Sequence, residues 1–179
     1  RLYIVRHAIA APHGTPGIPD DERPLTEEGI KKMRQVAAGL RSLEYVPELI
    51  LSSPLPRARQ TAEILLEAFG QKRSGLEILP ALAPSGSRRE LYQAIASYEK
   101  KHKSLMLVGH QPSLGEIAGE IAWGSRGHAL ELKKGGACVL DLVHFEAGQV
   151  ELRRDWQTLD DLVGIALQRL GERLASHPV

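Results

Sequence analysis

The chain has 179 residues, 42% of them hydrophobic and 25% charged, which is ordinary for a globular protein and argues against disorder. Its 23 Lys and Arg against 22 Asp and Glu give a net charge of +1, so no nucleic-acid partner is expected. A single cysteine, Cys138, excludes an internal disulfide and is expected to be a buried apolar residue. No apolar stretch approaches the roughly 20 residues that span a bilayer, and no secretory leader precedes the first strand. We therefore expect a cytoplasmic protein with no membrane partner.

The first part of the chain alternates buried strands with amphipathic helices. Residues 2–5 form a short, continuous, apolar run that predicts a buried strand. A polar loop rich in Gly and Pro follows, and Thr26 is the expected N-cap of a long helix. Residues 49–51 predict a second buried strand, and the helix after it is expected to stop at Gly70.

The middle of the chain continues this alternation. Residues 76–79 predict a short third strand, and Ser87 with Glu90 predicts a capping box that opens the next helix. Residues 105–108 predict a fourth buried strand. Pro112 fits the first position of the helix that follows this strand.

The end of the chain predicts a hairpin and a helix. Residues 138–145 and 150–156 are expected to be antiparallel strands joined by a turn at 146–149, and Thr158 caps a last helix. The whole pattern predicts an α/β fold, a three-layer α/β/α sandwich whose mostly parallel central sheet carries an antiparallel edge hairpin. Because no repeat or linker divides the chain, a single domain over residues 1–179 is expected.

Cationic and imidazole side chains follow three of the predicted strands. Arg6 and His7 end the first, Arg57 begins the helix after the second, and His110 ends the fourth. Ligands of parallel α/β sheets bind beyond the carboxyl ends of the strands, so these four groups are expected to meet. Forked guanidiniums and a helix N-terminus suit a tetrahedral dianion, which predicts a phosphate site. Since neither carboxylates nor a thiolate accompany the histidines, no metal and no cofactor are expected.

Four segments of the chain resemble motifs of the histidine phosphatase superfamily. Residues 3–8 are similar to its Arg-His signature, 52–62 to its second arginine motif and 108–112 to its second histidine motif. Residues 23–29 match the start of its first long helix. The short length and the segment 79–86 look most like the bacterial phosphohistidine phosphatase branch called SixA. The resemblance implies a phosphoglycerate mutase-like fold.

The resemblance also implies how the site would work. His7 would attack phosphorus and become transiently phosphorylated, while Arg6, Arg57 and His110 would bind the phosphoryl oxygens, without a metal. The carboxylic acid that larger relatives place after the third strand falls at Ala81 here. An imidazole leaves more readily than an alkoxide, because the pKa of its conjugate acid is about 6.5. A site without a strong acid therefore favours phosphohistidine on a protein as the substrate.

The loop over residues 9–24 contains the other ionisable groups near the predicted site. His13, Asp20, Asp21 and Glu22 lie in it, and we expect them to be exposed to solvent. None is assigned a role from the sequence, although each acid is a candidate proton donor.

Two other functions remain open from the sequence. The first is a phosphatase of the same superfamily that acts on a small metabolite or a sugar phosphate. The second belongs to another class, a phosphoryl-binding module without hydrolysis, which the presence of both His7 and His110 disfavours. The partner is thus a phosphorylated protein or a small phosphorylated molecule, and the sequence leaves the oligomeric state open.

Overall fold

The computed structural model describes residues 1–123, 129–146 and 149–152. The strands and α-helices of these residues are, in chain order, β1 (Leu2–Arg6), α1 (Glu27–Ser42), β2 (Leu49–Ser52), α2 (Pro56–Ala68), β3 (Leu76–Ile78), α3 (Arg88–Glu99), β4 (Leu105–Gly109), α4 (Ser113–Trp123), β5 (Ala137–Leu140), β6 (Leu142–Glu146) and β7 (Gln149–Leu152). Short 3-10 helices lie at Asp20–Glu22, Arg73–Gly75 and Pro80–Leu82.

Five of the described strands form one sheet in the order β3-β2-β4-β1-β5. The first four strands of this order run parallel, and β5 pairs antiparallel with β1 at the edge. Arg6 is level with Gly109, and Ser52 is level with Val108. The carboxyl ends of β1, β2 and β4 therefore lie side by side, at the edge of the sheet where the phosphate site was predicted.

Two apolar clusters cover the two faces of the sheet. Alternate residues of β1 point to opposite faces, because side chains in a strand have a period of two. Tyr3 and Val5 belong to the cluster that contains residues of α1 and α2. Leu2 and Ile4 belong to the cluster that contains residues of α3 and α4. This arrangement confirms the predicted α/β sandwich of three layers.

Polar side chains begin two of the helices, as predicted. Thr26 Oγ1 accepts a hydrogen bond of 3.0 Å from the backbone N–H of Gly29, and Ser87 Oγ accepts one of 3.3 Å from Glu90. Each bond satisfies one of the amides that a helix leaves without a partner in its first turn. The helix α4 begins at Ser113, one residue later than the predicted start at Pro112.

The predicted edge hairpin differs from the observed strands in its turn and in its first strand. Glu146 and Gln149, predicted as part of the turn, are paired residues of β6 and β7, and residues 153–156 of the predicted second strand lie outside the described residues. The run 138–145 forms two strands, β5 and β6, which are separated at Asp141. β5 is the antiparallel edge of the main sheet, whereas β6 pairs with β7 in a separate sheet of two strands. The carboxylate of Asp141 binds the guanidinium of Arg1, so this residue is held at the end of the sheet rather than within one long strand. The predicted helix from Thr158 lies outside the described residues.

Two further observations bear on the class of protein. Cys138 is a free, buried cysteine, and burial raises the pKa of its thiol to about 12, so it is the apolar core residue that the sequence predicts. Of the helices in the described part of the chain, none combines the length and the apolar character that a membrane crossing requires.

Candidate active site

The main chain at the end of β1 is bonded on both sides. The backbone N–H of His7 donates to Gly109 O at 2.9 Å, and its carbonyl accepts from Gly135 N at 3.1 Å. The N–H of Arg6 donates to Gly136 O at 3.0 Å. The backbone of the predicted nucleophile is therefore fixed by β4 on one side and by the segment before β5 on the other.

The ring of His7 has a defined tautomer. Its Nδ1 lies 2.8 Å from the carbonyl oxygen of Ala8, and because a carbonyl can only accept, Nδ1 carries the proton. The pKa of His7 is lowered to about 4, mainly by burial, which the Ala8 carbonyl opposes and the charges of Arg57 and Arg6 reinforce. At neutral pH the ring is therefore uncharged, with an unprotonated Nε2. Among the described residues, none hydrogen-bonds to this Nε2.

His110 lies beside His7, with the ring centroids 5.1 Å apart. Its Nε2 is 2.8 Å from Ser53 Oγ. Ser53 Oγ also accepts from the backbone N–H of Leu55 at 3.3 Å, and its own proton has no other acceptor among the described residues. Donation from Ser53 to His110 Nε2 therefore satisfies the hydroxyl and leaves the proton of the ring on Nδ1. Burial lowers the pKa of His110 to about 3, with smaller contributions from His7 and Arg57. His110 is thus a neutral donor.

Both predicted arginines reach the same end of the sheet. Arg57 stands in the first turn of α2 and is only 4% exposed, and its Nη1 donates to the backbone carbonyl of Asp20 at 2.7 Å. Arg6 Nη1 donates to Leu132 O at 2.7 Å. Burial lowers the pKa of both guanidiniums, and they remain charged because an arginine does not lose its proton in proteins. The positive charges of Arg57 and Arg6 both act on His7.

Three buried nitrogens of these residues make no hydrogen bond to any described residue: Arg6 Nε, Arg57 Nε and His110 Nδ1. Leaving a buried donor without a partner costs about 1–3 kcal/mol or more, so such groups are uncommon away from functional sites. An oxyanion offers several acceptors to two guanidiniums and an imidazole at once. The four residues that the sequence predicted, including His7, therefore lie together with unsatisfied donors among them, as an anion site would require. No group of three or more His, Cys, Asp or Glu lies together in residues 1–123, 129–146 and 149–152.

Two hydroxyl groups support this arrangement and were not identified from the sequence. Ser53 orients His110, as described above. Thr61 Oγ1 accepts from the backbone N–H of Ala8 at 3.0 Å and donates to Arg57 O at 2.7 Å. Thr61 thereby joins the segment that carries His7 to the helix that carries Arg57. Both lie within the second arginine motif, whose polar residues were the available signal.

The loop before α1 approaches the site more closely than the sequence predicted. Asp20 is exposed, as expected, and in addition its backbone carbonyl accepts from Arg57, while its carboxylate accepts from Arg23 Nε at 2.7 Å and lies 3.5 Å from His13 Nε2. The bond to Arg23 lowers the pKa of Asp20, so this group is ionised and is a poor proton donor. Asp21 and Glu22 are exposed, as expected.

The position predicted for the missing acid carries none. Ala81 is buried in the 3-10 helix Pro80–Leu82 and packs among the apolar residues on the α3 and α4 face of the sheet. Its backbone carbonyl lies where a side chain on Gly86 would stand, at 2.2 Å from the position of a Cβ. The backbones of Ala81 and Gly86 are therefore packed too closely for a side chain at position 86.

Comparisons with known proteins agree with the geometry. The model of the histidine phosphatase superfamily (branch 1) matches residues 2–83. An uncharacterized protein of Picosynechococcus sp. is 44% identical over 136 residues, which cover 75% of this chain and 81% of that protein. Phosphohistidine phosphatase SixA of Escherichia coli is 29% identical over 125 residues, which cover 69% of this chain and 75% of SixA.

A solved structure points to the same relatives. The protein histidine phosphatase SixA complexed with tungstate superposes with a TM-score of 0.73 at 26% identity, over 88% of this chain and 95% of that one. The sequence match, the shared fold and the residues gathered at the ends of β1, β2 and β4 lead to one conclusion. The chain belongs to the histidine phosphatase superfamily, a family of phosphatases, and is SixA-like within it.

Proposed function

We propose that the chain is a metal-independent phosphatase that removes the phosphoryl group from protein phosphohistidine through a phospho-His7 intermediate. The observation that carries this proposal is the uncharged ring of His7, whose Nδ1 is bound to Ala8 O and whose Nε2 is free of partners among the described residues. An imidazole in this state is a nucleophile that needs no base to activate it.

The reaction proceeds in two displacements. In the first, the substrate ring carries a proton from solvent on its other nitrogen, His7 Nε2 forms a bond to phosphorus while the bond from phosphorus to the substrate nitrogen breaks, and the substrate ring leaves as neutral imidazole. In the second, a water oxygen bonds to phosphorus, the bond to Nε2 breaks, and the proton lost by the water passes to solvent. Inorganic phosphate leaves, and His7 returns to its uncharged form. A covalent intermediate divides one difficult step into two easier ones.

The surrounding donors stabilise the transferring group. Phosphoryl transfer depends mainly on positioning and on neutralising the charge of the equatorial oxygens. Arg6 Nε, Arg57 Nε and His110 Nδ1 supply this, since they are buried and are not bonded to other described residues. Removing one such donor is expected to lower the rate by about 10²-fold or more.

The choice of a phosphohistidine substrate is supported by the lack of an acid. Ala81 occupies the position expected for the proton donor, and Asp20 is ionised by its bond to Arg23. An alkoxide leaving group needs a proton from such a donor, whereas an imidazole departs with a conjugate-acid pKa of about 6.5. Hydrolysis of a sugar or metabolite phosphate is the alternative that this feature disfavours, and a binding module without hydrolysis is disfavoured by the free nucleophile.

The intermediate can be tested by trapping. A protein phosphorylated with ³²P on histidine is mixed with the wild type or with His7→Ala, and the reaction is quenched in alkali, in which phosphohistidine is stable. We expect an acid-labile label on the wild type only. His13→Ala is the control, since it removes an exposed imidazole from the neighbouring loop. Equal turnover by His7→Ala would overturn the mechanism.

The substrate class is tested by comparing the rates of hydrolysis of two kinds of substrate. The wild type is assayed for phosphate release from a phosphohistidine peptide and from sugar phosphates at the same concentration. Faster release from the peptide is expected. Faster release from the sugars would favour the metabolite phosphatase, and binding of both without phosphate release would favour the binding module.

A further inference from the structure

A third arginine lies beside the predicted anion site. It is not one of the four predicted site residues, although it begins the segment 23–29 that resembles the start of the family's first long helix. Arg23 precedes α1, and its side chain is only 14% exposed. Its Nε donates to Asp20 Oδ1 at 2.7 Å, and its Nη1 donates to Ala11 O at 2.6 Å. Its Nη2 makes no hydrogen bond to any residue in the described part of the chain. The N–H groups of Arg23 Nη2 can therefore donate to a bound ligand.

Asp20 holds this arginine next to Arg57. One oxygen of the Asp20 carboxylate binds Arg23, the other lies 3.8 Å from Arg57 Nη2, and the backbone carbonyl of Asp20 accepts from Arg57 Nη1. A single residue thus contacts both guanidiniums. The positive charge of Arg23 lowers the pKa of Arg57, and it acts in the same direction on His7 and His110. The charge of Arg23 therefore acts on three of the four predicted site residues, namely Arg57, His7 and His110, and not on Arg6.

The charges of this cluster fit a dianion only if Arg23 is included. Arg6, Arg57 and Arg23 contribute three positive charges, Asp20 contributes one negative charge, and the two histidines are neutral, which gives +2. A phosphoryl group carries between about −1.5 and −2 at pH 7. Without Arg23 the cluster would carry only +1. The carboxylates of Asp21 and Glu131 also act on the site, but both residues are exposed and water screens their effect.

We propose that Arg23 binds the phosphoryl group directly, as a third guanidinium whose Nη2 donates to a phosphoryl oxygen, and that Asp20 is the residue that positions it. This inference rests on the proposed phosphoryl site, but it does not depend on which phosphorylated molecule is the substrate. Arg23 then provides the second net positive charge of the site. It also links anion binding to the loop before α1, since the same guanidinium holds that loop through Ala11 O.

The test measures binding of inorganic phosphate by calorimetry at pH 7.5. Arg23→Ala is expected to weaken binding by about tenfold or more, because a hydrogen bond to a charged group contributes about 1.5–3 kcal/mol. Asp20→Asn removes a competing negative charge but keeps an amide oxygen that can accept from Arg23 Nε, so Arg23 stays in position and binding is expected to stay equal or to tighten. Arg59→Ala is the matched control: it removes the same charge from an arginine on the exposed side of α2 that pairs with Glu63, and binding should not change.

A conservative replacement distinguishes a direct hydrogen bond between Arg23 and phosphate from an effect of its positive charge alone. Arg23→Lys keeps the positive charge but loses the forked donors, so a direct contact predicts that most of the loss persists. Binding by Arg23→Lys at the wild-type affinity would show that only long-range charge matters and would overturn the proposal. The lysine variant also serves if the alanine variant does not fold, which its circular dichroism spectrum reports.

Two further outcomes would also overturn it. Wild-type affinity in Arg23→Ala would remove Arg23 from the site. An equal loss in Arg23→Ala and Asp20→Asn would mean that the pair only anchors the loop. The proposed function fails separately, because a wild type that binds phosphate but releases none from phosphohistidine would refute the phosphatase and leave the role of Arg23 intact.

Discussion

The two uncharged, buried imidazoles are expected to make the stability of the fold depend on pH. The pKa of His7 is lowered to about 4 and that of His110 to about 3, mainly by burial, against about 6.5 in an unfolded chain. At a pH between the native and the unfolded pKa values, the histidines of the unfolded chain bind protons that those of the native protein do not. The free energy of unfolding therefore falls as the pH drops below about 6.5, and this contribution is fully present only above that pH.

The size of the effect follows from these pKa values. At pH 5 each histidine has withdrawn about 2 kcal/mol of stability relative to pH 7, and the two together about 4 kcal/mol. With a urea dependence of about 2 kcal/mol per molar, the unfolding midpoint moves down by about 2 M. The same shift keeps about 99% of His7 unprotonated at pH 6, where an ordinary histidine would be about a quarter unprotonated.

Urea unfolding at pH 7 and pH 5, followed by circular dichroism, measures this difference. His7→Gln removes one of the two imidazoles, so its loss of stability between the two pH values should be about half that of the wild type. His13→Gln is the control, because His13 has a side chain 84% exposed, and it should retain the full loss. Equal losses in the wild type and His7→Gln would show that the ring is not held neutral by the fold.

Two substitutions test the supports of the site. Ser53→Ala leaves His110 Nε2 without its 2.8 Å partner, so turnover should fall about tenfold with an unchanged circular dichroism spectrum, and unchanged turnover would contradict the orienting role. Gly29→Ala places a Cβ 2.0 Å from Ile9 O, whereas Gly39 on the same helix has open space around it. Thermal unfolding should show Gly29→Ala destabilised by about 1–3 kcal/mol and Gly39→Ala stabilised by about 0.5–1 kcal/mol, and equal midpoints would contradict this packing.

The strand ends were predictable because the hydrophobic pattern fixes them. A continuous apolar run that stops at a polar residue marks the edge of a parallel sheet, and Arg6, His7 and His110 follow such runs directly. Arg57 followed from the next helix beginning at Pro56. The position of each residue in its strand or helix follows from the neighbouring sequence. Predicting that the four residues lie close together then required only the assumption that the strands are parallel.

The loop contacts could not be predicted in the same way. Asp20 meets Arg57 across 37 positions and partly through a backbone carbonyl, for which a sequence has no pattern. A weak signal was present in an acid three residues before Arg23, inside a loop rich in Gly and Pro. The division of the predicted strand at Asp141 was missed because the bond to Arg1 that accompanies it joins residues 140 positions apart in the chain.

The bonds on both sides of His7 have a consequence for how substrates approach. Its main chain is bonded to Gly109 and Gly135, and its ring is bonded to Ala8, so this proposed nucleophile has little freedom to advance toward phosphorus. The incoming molecule must therefore travel the whole distance and arrive already aligned with Nε2. If the substrate is phosphohistidine on a folded protein, as proposed, that residue can reach this position only by protruding from its surface, so the shape of the partner selects substrates before any chemistry begins.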